Sequence, residues 1–491
     1  MKIMKNYVNG QWADAKSSDR IDVINPSTGE ILAECPLSNV ADANLAIASA
    51  AAAFPAWSQT AVSSRVQPLF KLAELIRENQ QQIARILVAE MGKSMVDAIA
   101  ELKRTLENCE VACGMPTLLQ GDKLVGCSAG IDGEVIRVPL GVFTMIAPFN
   151  FPAMVPFWFI PYALATGNTY VVKPSPQVPM TMEFLTQLID QSGFPPGVFN
   201  LVHGDKTVAD VFVEHPDVKG VSLVGSSKTC QAVAEKCVQN NKRFQAMGGA
   251  KNHLVIMPDA KIDDVVRNMV TSCYGCAGQR CMASSAIVAV GDEVYNDVCK
   301  RFIEDSKNVI VGDPLDPAYL NEPMLMGPVI SEKAKNFILK MIDTGVKEGA
   351  TLALDGRNIS VPNGENGHYI GPTVFTDVQP GMEIHQTEIF GPVVVILKAQ
   401  SLQDAIQILN SHKYGNGASI YTQNGFYARE FKLKVECGMI GVNVGIPAPV
   451  AYLPFGGMKA SQFSHIKAQG KAVINFFTDD RIVTERYWPE V

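Results

Sequence analysis

No stretch of this 491-residue chain approaches the roughly 18 consecutive apolar residues that a membrane helix needs. The segment from Phe149 to Ala165 is apolar, but Asn150, Pro152, Pro156 and Pro161 interrupt it, so it reads as a buried helix and its approach. The first residues, Met1-Lys2-Ile3-Met4-Lys5-Asn6, carry no apolar signal core, and a cytoplasmic location is expected. Lysine and arginine form no block and are not interleaved with aromatics. With a net charge of -7, nucleic acid is not an expected partner. Eleven cysteines in a chain of this length make no disulfide lattice. Cys273 and Cys276 form a CxxC pair, yet neither a second pair nor histidines at ligand spacing accompany it, so no metal site is expected. The GxGxxG dinucleotide fingerprint is absent from the place where it would be sought, and no internal repeat is evident.

What is present describes a large α/β protein of two or three domains. Asn9 to Gly29 has short apolar runs cut by turn residues and reads as small strands. Leu37 to Glu110 turns helical, with Val66, Leu69, Phe70, Ala73 and Ile76 at helix spacing. Glu134 to Pro148 alternates like extended chain. Strand candidates Tyr170-Val171-Val172, Phe199 to Val202 and Val218 to Val224 then alternate with helices, the rhythm of a parallel sheet. A second alternating region begins near Leu254. Val473 to Thr484 reads as largely extended, a strand that pairs either across a subunit interface or on its own domain.

Several residues carry candidate chemistry. Cys281, in Gly278-Gln279-Arg280-Cys281, is a candidate nucleophile, since Arg280 or a helix N-terminus would lower its pKa. Asn150, between Phe149 and Phe151, either donates to an oxyanion or ties down its proline-bounded loop. Gly225-Ser226-Ser227 sits between a strand and a helix, where free backbone N–H groups suit an anion. Lys173 closes a strand and is either a ligand's cation or a surface residue before Pro174. Glu388 and Phe390 precede the strand Val393 to Lys398, where a carboxylate suits ribose hydroxyls and a ring suits a nicotinamide.

Together these segments, in this order, resemble the aldehyde dehydrogenase superfamily along nearly the whole chain. Within it, Gly249-Ala250-Lys251-Asn252-His253, Met257-Pro258-Asp259-Ala260, Tyr414-Gly415-Asn416-Gly417-Ala418 and Phe455-Gly456-Gly457-Met458-Lys459 look most like the CoA-acylating methylmalonate-semialdehyde dehydrogenase family. The resemblance implies a Rossmann-like NAD-binding domain (1–118 and 140–250), an α/β catalytic domain (251–462) and a small β oligomerisation element (119–139 and 463–491). It implies Cys281 as nucleophile and Asn150 as oxyanion donor, with Arg104 and Arg280 holding a substrate carboxylate. Phe149, Lys173, Ser226, Glu388 and Phe390 would contact NAD. Coenzyme A as co-substrate and a homodimer or homotetramer are implied in the same way. Two positions depart from the pattern. Met247 stands where hydrolytic members have glutamate and the acylating family has asparagine. Pro176 stands where many members have a ribose-binding glutamate. Methionine takes no proton from water, which favours a thioester that survives to meet an external thiol.

Overall fold

The computed structural model describes residues 2–447 and 449–488. Seven strands form a first sheet in the order Arg243–Met247, Val218–Val224, Val142–Ile146, Thr169–Lys173, Phe199–Leu201, Asn6–Val8 and Gln11–Ala13. The first five run parallel and the last two are antiparallel. Phe143, Met145, Tyr170, Val171 and Val172 have no exposed surface, as a parallel sheet covered on both faces requires. The chain starts centrally at Val142–Ile146, moves outward twice, then crosses back to Val218–Val224 on the other side. That reversal opens a crevice at the carboxyl ends of the two neighbouring strands, where α/β sheets bind ligands. The segment Pro148 to Pro152 and the turn at Gly225 both leave the sheet there.

Gly248 to Lys251 link this sheet to a second one of order Thr351–Leu354, Thr373–Thr376, Val393–Ala399, Ser284–Val290, Asn252–Ile256, Gly417–Tyr421 and Met439–Val442. Only its first pair is antiparallel. Cys281 lies just before Ser284–Val290, at an amino-terminal strand end. The nucleophile candidate therefore stands at the amino edge of one sheet, and the ligand crevice at the carboxyl edge of the other.

A third, antiparallel sheet joins Lys123–Ser128, Ile131–Pro139 and Thr478–Arg486, with Thr478 opposite Pro139 and Arg486 opposite Ile131. The extended reading of the C-terminal region is correct from Thr478 onward and wrong before it, because Gly470–Phe477 is a helix. Val473, Ile474, Phe476 and Phe477 are fully buried, and Phe476 and Phe477 pack edge-on to Phe143 at 5.2 and 4.9 Å. Arg243 Nη1 then donates to the carbonyls of Asn475, Phe476 and Thr478 at 3.0, 3.2 and 2.7 Å, satisfying the helix end with a cation. Tertiary burial thus outweighs the extended preference of these aromatic and β-branched residues. Phe70, placed by helical period beside Leu69, instead faces solvent on Gln67–Glu78.

Candidate active site

Helix Met95–Cys113 begins at Ser94, whose hydroxyl accepts the Asp97 N–H. Asp97, Glu101 and Arg104 follow at i, i+4 and i+7 and so share one face. All three line a cavity of about 240 Å³ that Cys276, Arg280 and Cys281 also line. Two guanidinium groups and the candidate thiol therefore share one space. Phe151 and Met154, from the segment that carries Asn150, add apolar wall.

The two arginines are held differently. Arg280 Nη2 is ion-paired with Asp97 Oδ1, Nε donates to Cys276 Sγ at 3.3 Å, and Nη1 donates to the Thr271 carbonyl at 3.4 Å. Burial pushes the Asp97 carboxyl up, but Arg280 and Lys93 outweigh it and hold it below the usual range. Arg104 uses Nη1 alone, 2.6 and 2.9 Å from the two Glu107 oxygens. Its Nε–H and Nη2–H edge has no protein partner among the described residues and keeps the fork geometry that matches a carboxylate.

Cys281 is approached through three successive left-handed residues, Cys276, Ala277 and Gly278, at φ of 53, 54 and 72°. A Cβ on Gly278 would lie 2.2 Å from the Gly391 carbonyl oxygen, so only glycine fits. The Cys276 N–H donates to Asp97 at 3.1 Å. Beyond the turn, the Cys281 carbonyl accepts from the Asn252 and Asn416 side-chain amides at 2.8 and 3.0 Å. Burial pushes the thiol up to about 12 and the Glu388 carboxylate adds to this. The N–H groups of Cys281 and Met282, and Arg280, act in the opposite direction. The expected lowering by Arg280 is thus real but outweighed by burial of the thiol. The other half of the CxxC pair serves packing: Cys273 Sγ donates to the Ser284 carbonyl at 2.8 Å.

Asn150 is buried, and its Nδ2 donates to the Gln279 carbonyl at 3.0 Å, two residues before the thiol. One of its two N–H groups is engaged in that bond, which leaves the second available to an oxyanion.

At the crevice, Lys173 is buried rather than a surface residue. It donates to the Pro174 and Gly204 carbonyls at 2.8 and 3.0 Å, and burial lowers its pKa to about 8. Ser226 caps helix Ser227–Gln239, accepting the Thr229 N–H at 3.3 Å. Glu388 accepts the Ala250 N–H at 2.8 Å, and burial raises its carboxyl to about 7. A Cβ on Gly249 would lie 2.4 Å from Glu388 Oε2, so glycine keeps that carboxylate in place. Phe149 and Phe390 meet edge to face at 5.8 Å. A buried cation, an open helix N-terminus, a ribose-suited carboxylate and a pair of rings fit a dinucleotide laid along the crevice.

Sequence reasoning missed a buried brace behind Glu388. His253 Nε2 and His385 Nε2 are 2.8 Å apart, and His412 Nε2 lies 3.2 Å from the His385 carbonyl. Lys251 donates to the Ile384 and Thr387 carbonyls at 2.9 and 3.0 Å. It also missed Lys93, Asp97 and Glu101. The i, i+4, i+7 spacing of Asp97, Glu101 and Arg104 was the available signal.

Sheet order, crevice and thiol position define an aldehyde dehydrogenase-type fold, and the chain belongs to the Aldehyde dehydrogenase family, whose model matches residues 12–483. Among its relatives, malonate-semialdehyde dehydrogenase 1 of Oceanobacillus iheyensis is 42% identical over 487 residues, covering 99% of each chain. The crystal structure of methylmalonate-semialdehyde dehydrogenase from Oceanimonas doudoroffii has a TM-score of 0.97 at 38% identity, covering 100% of this chain and 99% of that one. Betaine aldehyde dehydrogenase from Staphylococcus aureus, solved in complex with NAD+, has a TM-score of 0.94 at 28% identity and covers 99% of this chain and 96% of that one.

Proposed function

We propose that the chain oxidises methylmalonate semialdehyde, and malonate semialdehyde, with NAD and transfers the acyl group to coenzyme A. The observation that carries this reading is the cavity shared by Cys281, Arg104 and Arg280. A small aldehyde bearing an acid places its carboxylate on the guanidinium fork of Arg104 and its carbonyl at the thiol. The names of the relatives above favour the same substrates, and the NAD+ complex of one of them favours the cofactor.

The Cys281 thiol gives its proton to solvent as its sulfur attacks the carbonyl carbon, and the second Asn150 N–H with the Cys281 backbone N–H stabilises the oxyanion. Lys173, Ser226, Glu388 and the two phenylalanines would hold the dinucleotide. When bound there, NAD would supply the hydride acceptor for collapse of the adduct. An acyl thioester on Cys281 remains. Its carbonyl is β to the substrate carboxylate, so loss of carbon dioxide leaves a stabilised carbanion that takes a proton. Propionyl remains from methylmalonate semialdehyde and acetyl from malonate semialdehyde. The coenzyme A thiol then attacks the thioester, returning Cys281 and releasing the acyl-CoA.

Met247 is 3% exposed, and its carbonyl accepts from Gly225 N–H and Cys230 Sγ at 3.1 Å each. Its side chain offers no base where hydrolytic relatives have one, which protects the thioester from water. A second reading, an enzyme that releases free acid, draws on Glu388. That carboxyl has a pKa of about 7 and acts electrostatically on the Cys281 thiol, so it is a candidate base for water. The cofactor pools required suit the cytoplasm. The third sheet, with exposed Leu124, Val125 and Ile482, suits assembly into dimers or tetramers.

The deciding measurement is NADH formation from methylmalonate semialdehyde with and without coenzyme A, with mass detection of the product. Turnover dependent on coenzyme A and yielding propionyl-CoA supports the acylating reading. Fast turnover to free acid without coenzyme A overturns it in favour of the second.

A further inference from the structure

Lys93 and Glu101 form an ion pair of 2.6 Å between two side chains with no exposed surface. Neither contacts the reacting atoms in the mechanism above, and each is fully occupied. The Lys93 ammonium reaches Glu101 Oε2, donates to the Asn150 carbonyl at 2.7 Å and lies 4.0 Å from the centre of the Phe151 ring. Glu101 Oε1 accepts the N–H groups of Ala153 and Met154 at 2.9 and 3.0 Å. The pair therefore grips the backbone on both sides of Phe151-Pro152. It fixes the carbonyl of Asn150 at one end and two amides at the other. Pro152 has no N–H to donate, and the segment's own backbone brace is the Val155 N–H to the Phe151 carbonyl at 3.2 Å.

We infer that Lys93 and Glu101 are positioning residues that hold the Asn150 amide in register with the Cys281 thiol. An oxyanion donor works only when it is fixed where charge develops, and loss of alignment by about 1 Å costs on the order of 10²-fold in rate. A buried ion pair is not by itself a strong source of stability, since apolar residues of similar size commonly replace one without loss. What this pair supplies is geometry. Its ammonium anchors the residue bearing the donor amide, and its carboxylate anchors the start of Met154–Phe157. Glu101 sits on the same helix face as Asp97, which holds the turn leading to Cys281. One helix thereby sets both the donor and the nucleophile.

The inference rests on Asn150 as oxyanion donor, and a double-mutant cycle tests it. Lys93→Met and Glu101→Gln are made alone and each with Asn150→Ala, and rates are normalised to the amount of titratable Cys281 thiol. Each single variant is expected to lower kcat by about 10- to 100-fold, approaching the roughly 10²-fold loss for Asn150→Ala. KM for the aldehyde should change little. In the Asn150→Ala background neither change should lower kcat further, and Lys93→Arg should recover most of the rate. Full multiplication of the two losses, or unchanged kcat per titrated thiol with only a lower Tm, would assign the pair to packing alone. If Lys93→Met yields no folded protein, Glu101→Gln decides the cycle. Rates are taken on propionaldehyde as well as methylmalonate semialdehyde. Failure of the wild type to use coenzyme A then removes the acylating reading and leaves the cycle readable.

Discussion

Arg104→Leu removes a guanidinium edge in the cavity that has no protein partner among the described residues. In the wild type, Nε–H and Nη2–H offer two parallel bonds to an incoming carboxylate, while Nη1 stays on Glu107. Hydrogen bonds to charged groups contribute about 1.5–3 kcal/mol. The Arg104 side chain is 32% exposed, so solvent screening favours the lower part of that range. About 1.5–2 kcal/mol corresponds to roughly a 10- to 30-fold rise in KM for methylmalonate semialdehyde. Propionaldehyde lacks the carboxylate and should lose almost nothing. Arg104→Lys keeps the charge but not the fork, and should fall between the two. Glu107→Gln removes a competitor for the same cation and should lower KM for the acid-bearing aldehyde. The assay is initial NADH formation with each aldehyde across the four proteins. Equal effects of Arg104→Leu on both aldehydes would refute the carboxylate role.

Other outcomes follow from the same geometry. Cys281→Ala should abolish NADH formation while NAD still binds with wild-type affinity; residual turnover would remove the nucleophile assignment. Burial raises the Glu388 carboxyl to about 7, and a ribose hydroxyl favours its ionised form. NAD affinity should therefore climb as pH rises from about 6 to 8 and level off above, and Glu388→Gln should flatten the profile. A Kd profile unchanged by that substitution would exclude Glu388 as the titrating contact. The buried histidines give a stability signature. Burial, with His412 and Lys251, lowers His385 to about 3, and burial lowers His412 to about 4. Both lie below the unfolded value near 6.5, so the folded chain binds fewer protons over that interval. Their contribution is complete above about pH 6.5 and is lost as pH falls from there toward the folded values. Tm should drop between pH 7 and 5, and His385→Asn should reduce the drop. A rising Tm would contradict the burial argument.

Much of the architecture was legible because the relevant signals are local. Tyr170-Val171-Val172 is a continuous apolar run before a turn, and Val218 to Val224 keeps four apolar residues around Lys219, Gly220 and Ser222; each became a parallel strand. Cys281 and Asn150 stood out because polar residues in tight glycine or proline settings need a reason to be there. The rest depends on distance in space. Nothing in the sequence singles out Lys93 or Glu101, and only the fold buries them against the segment around Asn150. His253, His385 and His412 lie on three separate segments and meet only in the folded protein. Val473 to Phe477 has a composition that suits a strand, and contact with Phe143 and the cation of Arg243 decides for a helix. The cation beside Cys281 was visible in sequence, but the Asp97 paired with it was not.

The left-handed run before Cys281 bears on how far a motif can travel. Cys276 and Ala277 each carry a Cβ in a conformation that costs about 1–2 kcal/mol per residue, so the turn does not hold itself. Asp97 secures one end of it from a distant helix, and the close approach of Gly391 leaves Gly278 no room to relax. The turn into Gly278-Gln279-Arg280-Cys281 thus keeps its shape only through contacts from both sides. Grafted onto another scaffold without those contacts, the same residues should relax into an ordinary loop.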